Sequence, residues 1–490
     1  MRRRSSIFGL WSFVIWSLVS AGLALGQEKP PAPGAAKSVK IPPVSERRLA
    51  NGLTVASVEK HNLPLVTVQL LIKAGANSEG DDQAGFADMT ASMLTKGTKT
   101  RTATQIAEAV ESLGGSINSG AGWNSSFVAL TVTSDKLDAA MAILADVILH
   151  PKFDQKELDL LKSQSLDGLT YNLKQPSFLA NYVASKYSFG EHPAGGTPDS
   201  IGRISRANVV QFYNDIFQPD NAVLIFSGDV TPARAGALSQ KSFGSWGSPK
   251  VKNVLLGAPT SVPENQKPST EKRNQILVID LPKSGQAAVT YAKPVAAIGR
   301  SSSSYYPAIV LNSVLGGGYS SRLNYEIRIK RGLSYGAGSG FGWRADKATF
   351  ATRVQTKNQS AAEVAELTLN ELKRLSNNKV DPDELVPRKS VLTGGFGRNL
   401  ETTGGLASAI GDLYAFGMST SELNAYMGRV NGVSADQIKE FAVQNLKDGD
   451  LIIVGDYSVF KDDLVKRFSK NKITVIEADQ LDIGKPDLHK

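Results

Sequence analysis

Residues 315–342, LGGGYSSRLNYEIRIKRGLSYGAGSGFG, read as a helix end, a turn, a short helix and a strand in close succession. Gly316, Gly317 and Gly318 break the apolar run Ala308–Leu315, as glycines just past a helix do. Ser320 or Ser321 can cap the next helix, whose apolar residues Tyr319, Leu323 and Ile327 recur every four residues. Gly332 follows its basic end, where Arg328, Lys330 and Arg331 suit the negative pole of the helix dipole. In the strand that comes next, Ser334, Gly336, Gly338 and Gly340 take every second position. One face of that strand is bare, so a neighbouring backbone or a ligand could approach closely. Arg328 and Tyr335 lie seven apart, at the end of the helix and the start of the strand. By residue type alone they read as a surface arginine and a packing tyrosine joined by a glycine turn.

Outward from this stretch the chain repeats itself. Strands are predicted at Leu53–Val58, Val66–Ala74, Ser125–Thr133 and Ala222–Ser227, with Asn51-Gly52 as a hairpin signal. Helical patterns fall at Gly85–Leu94, Ala103–Leu113, Leu137–Leu149, Gln155–Tyr171, Phe178–Ser188 and Arg206–Ile216. The order recurs after a stretch rich in Pro, Ser, Lys and Asn at 246–272. Strands at Gln275–Asp280 and Ala287–Pro294 precede a helix at Tyr306–Leu315. Thr349–Thr356 and Ala361–Leu375 then echo Phe127–Leu149. Asp381–Phe396 echoes Asp154–Leu169, and Ser434–Asp456 echoes Ser205–Asp229. A period of roughly two hundred residues is too long for a solenoid and implies two homologous domains. The fold class expected is α+β, each domain a mainly antiparallel sheet with helices packed on one side. The segments are a signal peptide at 1–26, a flexible linker at 27–44, an N-terminal domain at 45–245 and an inter-domain linker at 246–272. A C-terminal domain at 273–480 and a tail at 481–490 complete the chain.

Arg2, Arg3 and Arg4 ahead of the apolar run Ile7–Leu25, with Ala24-Leu25-Gly26 as a cleavage site, mark secretion, with the mature chain starting at Gln27. The alternative is an uncleaved N-terminal anchor; no other stretch could span a membrane. Discounting those three arginines lowers the formal net charge from +9 to +6. No long basic block interleaved with aromatics is present, which argues against nucleic acid. The chain has no cysteine, and so no disulfide, thiolate metal site or thiol nucleophile. A chain of 490 residues can hold its cores without staples, and the whole pattern suits a periplasmic protein.

The pattern Leu-Gly-Gly-Gly…Ser-Arg-Leu…Arg…Arg-Gly-Leu-Ser-Tyr resembles the C-terminal half of the pitrilysin/insulinase metallopeptidase family, which includes the mitochondrial processing peptidase. The resemblance runs from about residue 45 to 460. It is carried in the first half by NGLTV (51–55), KAGANSE (73–79), GFADMTASMLTKGT (85–98), VESLGG (110–115) and PKF (151–153). It implies that Arg328 and Tyr335 are the arginine and tyrosine that reach the substrate carbonyl at a zinc site. It also implies a His-x-x-Glu-His helix between Gly85 and Thr98, where two histidines bind zinc and the glutamate activates water. Here Asp88, Ala91 and Ser92 stand at those positions, and the third ligand's position falls at Gly168. The four histidines, His61, His150, His192 and His489, form no ligand-spaced pair. No Gly-x-Ser-x-Gly or phosphate-binding loop is present.

Some members of the family are heterodimers, one subunit bringing the zinc motif and the other the Arg/Tyr pair. This sequence resembles the partner without zinc: no metal or other cofactor is expected in this chain, and zinc is expected on the partner subunit. The partners implied are a zinc-bearing subunit of the same family and a peptide substrate. That peptide would add as a strand to a sheet edge, for which Ser116, Ile117, Asn118, Ser119 and Gly120 are the candidates; an ordinary hairpin strand reads equally well there. The competing reading is a peptide-binding or scaffold protein with no proteolytic role, as the family's core subunits of respiratory complexes are.

Overall fold

A computed structural model describes residues 41–247, 275–485 and 487–490. The signal peptide expected at 1–26, the 27–44 segment up to residue 40, and the 246–272 connection from residue 248 onward lie outside the described residues.

Two six-stranded sheets organise the chain. The first contains β1 (Ser45–Arg48), β2 (Thr54–Glu59), β3 (Leu65–Ile72), β4 (Ser116–Ala121), β5 (Ser126–Thr133) and β6 (Ala222–Gly228), in the order β1-β2-β6-β3-β5-β4. The second contains β7 (Ile276–Asp280), β8 (Ala287–Val295), β9 (Ser334–Trp343), β10 (Ala348–Thr356), β11 (Asp450–Gly455) and β12 (Ile473–Glu477), ordered β12-β7-β11-β8-β10-β9. Set aside the edge strands β1 and β12, and the two orders are the same. The duplication read from the sequence is therefore a duplication of topology. Neighbours run antiparallel except β2–β6, β7–β11 and β7–β12. Residues in β5 alternate between buried and half-buried, as a strand covered more fully on one face must.

Each sheet packs one face against helices of its own half. The first holds Ala103–Glu111, Leu137–Leu149 and Pro232–Phe243 among others; the second holds Tyr305–Leu315, Ala361–Asn377 and Tyr457–Arg467. The halves also exchange a helix. Pro176–Tyr187, from the first half, lies on β8, β10 and β11 of the second sheet. Thr403–Ala415, from the second half, lies on β3 and β6 of the first. In the second case Leu406, Ile410 and Leu413 meet Ala56, Val58, Val223 and Ile225 in one buried cluster. Each such leucine or isoleucine contributes about 1.5–3 kcal/mol by leaving water, so the exchange ties the halves together firmly. The described residues from 41 onward accordingly cluster as one compact unit.

Three local expectations change. Tyr319 is 67% exposed and precedes the short helix, so only Leu323 and Ile327 of that trio are core. At the 27–44 segment's end, Ile41 is buried and exchanges hydrogen bonds with the Asn424 side chain at 3.1 and 3.2 Å. The 481–490 tail folds back: Leu481 bridges His489, and Leu488 is buried in the core.

Candidate functional site

The Phe86–Met93 helix carries the positions implied for zinc. It starts at Gly85, whose φ of +94° and close approach to Gly196 both require glycine. Its first N–H groups are capped by Glu79, whose carboxylate accepts from Gly85 at 3.0 Å and Ala87 at 2.5 Å. The Glu79 side chain is fully buried, 3.7 Å from Nδ1 of His192. Burial pushes its carboxyl up to about 8, against the pull of those two N–H groups. Asp88 follows, its carboxyl also raised by burial and partly relieved by the backbone N–H of Ala121 at the end of β4. Ala91 is buried and has no donor atom; Ser92 is half-buried and offers a hydroxyl. Gly168 sits exposed on the Gln155–Asn172 helix, where an added Cβ would meet open space. A larger side chain would fit there; the sequence supplies none.

Zinc needs three or four nitrogen, sulfur or carboxylate donors in tetrahedral array. The three positions provide one carboxylate, one hydroxyl and nothing, so the residues present do not fit the metal. Among the described residues no other group of three His, Asp or Glu side chains is arranged to hold an ion.

β4 is the edge of the first sheet and packs against the Phe86–Met93 helix. The Ser116–Gly120 stretch pairs only with β5, from Ser116 opposite Thr131 to Gly120 opposite Phe127. Ser116 and Asn118 open onto a cavity of about 450 Å3 between the sheet face and the exchanged Thr403–Ala415 helix. Thr67 on that face bridges Thr131 at 2.9 Å and Thr403 at 2.8 Å. Asp412 projects from the helix; it is exposed to the cavity, yet enough protein surrounds it to raise its carboxyl. This chamber could accept an extended chain beside β4.

Arg328 and Tyr335 occupy the topologically equivalent edge of the other sheet. The short Arg322–Asn324 helix passes into a π-helical turn at Tyr325–Ile329, closed by Lys330 N–H donating to the Tyr325 carbonyl at 2.8 Å. Such turns recur at functional positions because they re-aim a side chain. Arg328 lies in this turn, half-buried, with its guanidinium 5.0 Å from the Tyr319 ring. Gly332, at φ +65°, ends the turn and starts the chain into β9. Tyr335 is 92% exposed, and among the described residues its side chain has no partner. The bare glycine face of β9 does receive a backbone: a Cβ on Gly338 would lie 3.3 Å from the Gly316 carbonyl oxygen, which also accepts the Ser339 N–H. Arg322 is internal, its Nε and Nη2 donating to Glu384 at 2.9 and 2.6 Å. Arg388 fixes the preceding loop by donating to the Ser320 carbonyl and hydroxyl.

Among the described residues no hydrogen bond or ion pair joins Arg328 or Tyr335 to Asp88, Ser92 or Gly168. The two sets belong to separate edges of one chain. Sequence reasoning gave no role to Glu79, His192 or Asp412. KAGANSE contained Glu79, and an acid seven residues before the Phe86–Met93 helix was the only available signal.

The insulinase (peptidase family M16) model matches residues 54–183, and a second model, the peptidase M16 inactive domain, matches residues 203–392. Together they span more than half of the chain. An uncharacterized zinc protease of Mycobacterium leprae is 26% identical, over 84% of this chain and 89% of its own. The uncharacterized zinc protease YmxG of Bacillus subtilis is 24% identical, over 80% of this chain and 93% of its own. Among solved structures, a peptidase M16 inactive domain from Pseudomonas fluorescens superposes with a TM-score of 0.74 at 25% identity, covering 84% of this chain and 98% of that one. The periplasmic protease PqqL of Escherichia coli gives 0.66 at 15% identity, with 90% of this chain covering 52% of its length.

Proposed function

For this chain, which belongs to the insulinase (peptidase M16) family, we propose the role of a subunit without its own zinc. It binds unfolded peptide and lends Arg328 and Tyr335 to the active site of a zinc-bearing partner from the same family. One observation carries the reading. An exposed tyrosine starts the glycine-bared edge strand β9 and an arginine lies in the π-helical turn that leads into it, while the positions implied for zinc hold one carboxylate and two donor-poor residues.

The chemistry follows from charge. When water adds to a peptide carbonyl, the oxygen gains negative charge, and donors fixed beside it stabilise the transition state more than the ground state. Arg328 supplies a permanent cation and Tyr335 a hydroxyl donor, with no proton transfer required of either. The stacking of Arg328 on Tyr319 limits the directions in which the guanidinium can point. Peptide would lie along Ser116–Gly120, on the side of the sheet that opens into the chamber. Secretion to the periplasm fits the arginine-led apolar start, and PqqL, of the same fold, is described as periplasmic.

The test is co-purification from the native source, then a peptidase assay on this chain alone, on the partner alone and on the two together. Hydrolysis that appears only when both are present supports the reading. A complex that binds peptide without hydrolysing it supports the scaffold role instead.

A further inference from the structure

The cations around the π-helical turn are tied down, with one exception. Arg322 is held by Glu384 at 2.6 Å. Lys330 reaches Glu326 at 3.3 Å, and Arg331 pairs with Glu326 and, at 3.8 Å, with Glu363. Among the described residues Arg328 makes no ion pair, and its guanidinium lies beside the Tyr319 ring instead. An arginine without a carboxylate is available to a carbonyl oxygen, but its aim must then be set by something other than an ion pair.

Asn324 is placed to set it. It is 3% exposed, next to Leu323 and three residues before Ile327, both fully buried. Its Nδ2 donates to the Tyr319 carbonyl, and its Oδ1 accepts the Ala337 N–H at 3.2 Å. The first bond holds the residue whose ring lies beside Arg328. The second holds β9 two residues past Tyr335. One buried amide thus joins the loop before the turn to the strand after it, with Arg328 and Tyr335 between the two attachment points. A buried polar group left without partners costs about 1–3 kcal/mol, whereas a leucine of similar size would make no such demand in these apolar surroundings. What the amide adds over a leucine is a fixed relation between the two segments. Two further bonds complete the frame: Thr356 on β10 donates to the Leu333 carbonyl at 2.6 Å, and the Gly332 N–H to the Arg328 carbonyl at 3.0 Å.

We propose that Asn324 is a positioning residue for the Arg328/Tyr335 pair, setting the separation of the two donors by bonding the segments that carry them; the inference rests on the shared-site role proposed above. Asn324 touches no substrate and acts through the other two. Displacing a catalytic group by about 1 Å can cost about a hundredfold in rate. Its loss should therefore lower kcat and leave KM nearly as it was, because the peptide lies along β4 of the other sheet.

The test measures kcat and KM of the co-purified complex on an internally quenched fluorescent peptide that the wild-type complex cleaves. Asn324→Leu is placed both in the wild-type chain and in the Arg328→Ala/Tyr335→Phe chain. In the wild-type chain it should lower kcat about ten- to a hundredfold with KM little changed. In the double variant it should lower kcat no further, since the donors it places are gone. A merely structural asparagine would give the same factor in both backgrounds, and that result overturns the inference. An unchanged kcat in the wild-type background, or a loss confined to KM, overturns it too. If Arg328→Ala/Tyr335→Phe alone still slows the complex, the shared-site reading then stands without Asn324. If that double variant alone runs at the wild-type rate, the shared-site reading fails and the inference fails with it. Should Asn324→Leu not fold, Asn324→Ser carries the same comparison, because its shorter hydroxyl can meet at most one of the two bonds.

Discussion

Removing Glu384 should destabilise the protein more than removing Arg322, although the two form a single ion pair. Arg322 is 7% exposed and Glu384 24%, and their bond is bidentate. Glu384 also faces Arg388, a second buried arginine, whose pKa is lowered by burial and raised again by Glu384. Glu384→Ala therefore strands Arg322 and removes the countercharge from Arg388, which keeps its bonds to Ser320, so two buried guanidinium groups repel each other. Breaking a buried pair by removing one partner costs about 3–5 kcal/mol, and the repulsion from Arg388 argues for about 4. Arg322→Met leaves a different remainder. The methionine fills much of the space, Glu384 keeps access to water, and Glu371, its carboxyl already raised by burial, can take up a proton. About 2 kcal/mol is the expected loss. Unfolding entropy of about 2.1 cal/mol/K per residue, over roughly 450 residues, gives about 0.95 kcal/mol/K. The Tm should then fall by about 4 °C for Glu384→Ala and about 2 °C for Arg322→Met, read by calorimetry at neutral pH. A reversed order, or two shifts of less than half a degree, would show that this cluster does not hold the Ser320–Asn324 segment as described.

Other perturbations reach neighbouring parts of the argument. Glu79 titrates near 8 when folded against 4.5 as a free side chain, so between those values the folded chain keeps a proton that the unfolded chain has lost. Its contribution to stability is full below about 4.5 and is lost as pH rises through 8, with a slope of at most about 1.4 kcal/mol per pH unit. Glu79→Gln should flatten urea midpoints across that window, and an unchanged pH profile would refute it. Gly316→Ala puts a methyl 2.3 Å from the Ser339 nitrogen and should cost about 1–3 kcal/mol while shifting β9, whereas Gly318→Ala, with open space around it, should be nearly silent in the same melts. Metal analysis of the dialysed protein should find far less than one zinc per chain; a value close to one would mean that donors other than Asp88 and Ser92 hold it.

Much of the fold could be read from local pattern because β-branched alternation and four-residue periodicity survive in each half. The internal echo then fixed the number of sheets. The exchange of helices could not be read in the same way. Periodicity shows that Pro176–Tyr187 has an apolar face but does not say which sheet it meets. Thr403–Ala415 was harder still, since Gly404, Gly405 and Gly411 lower its helical propensity. It persists because tertiary packing overrides propensity: a Cβ on Gly411 would crowd Gln69 at 3.1 Å, so the glycine lets the helix lie close to the sheet. For the proposed site, Arg328 and Tyr335 could be singled out because one short segment carries both together with the family resemblance. The chamber beside β4 draws on residues from 67 to 412, and no sequence window contains it.

The central claim is that Arg328 and Tyr335 act on a carbonyl held by another subunit, and turnover of the assembled complex measures it. An Arg328→Ala/Tyr335→Phe chain should assemble normally, because among the described residues neither side chain makes a hydrogen bond or ion pair, and its melting temperature should match the wild type. Losing one such donor typically costs ~3 kcal/mol, a factor of roughly 100 to 1,000 in rate. The account predicts at least that loss in kcat of the co-purified complex, with peptide affinity little changed. Hydrolysis at the wild-type rate by a correctly folded, fully assembled double variant would contradict it.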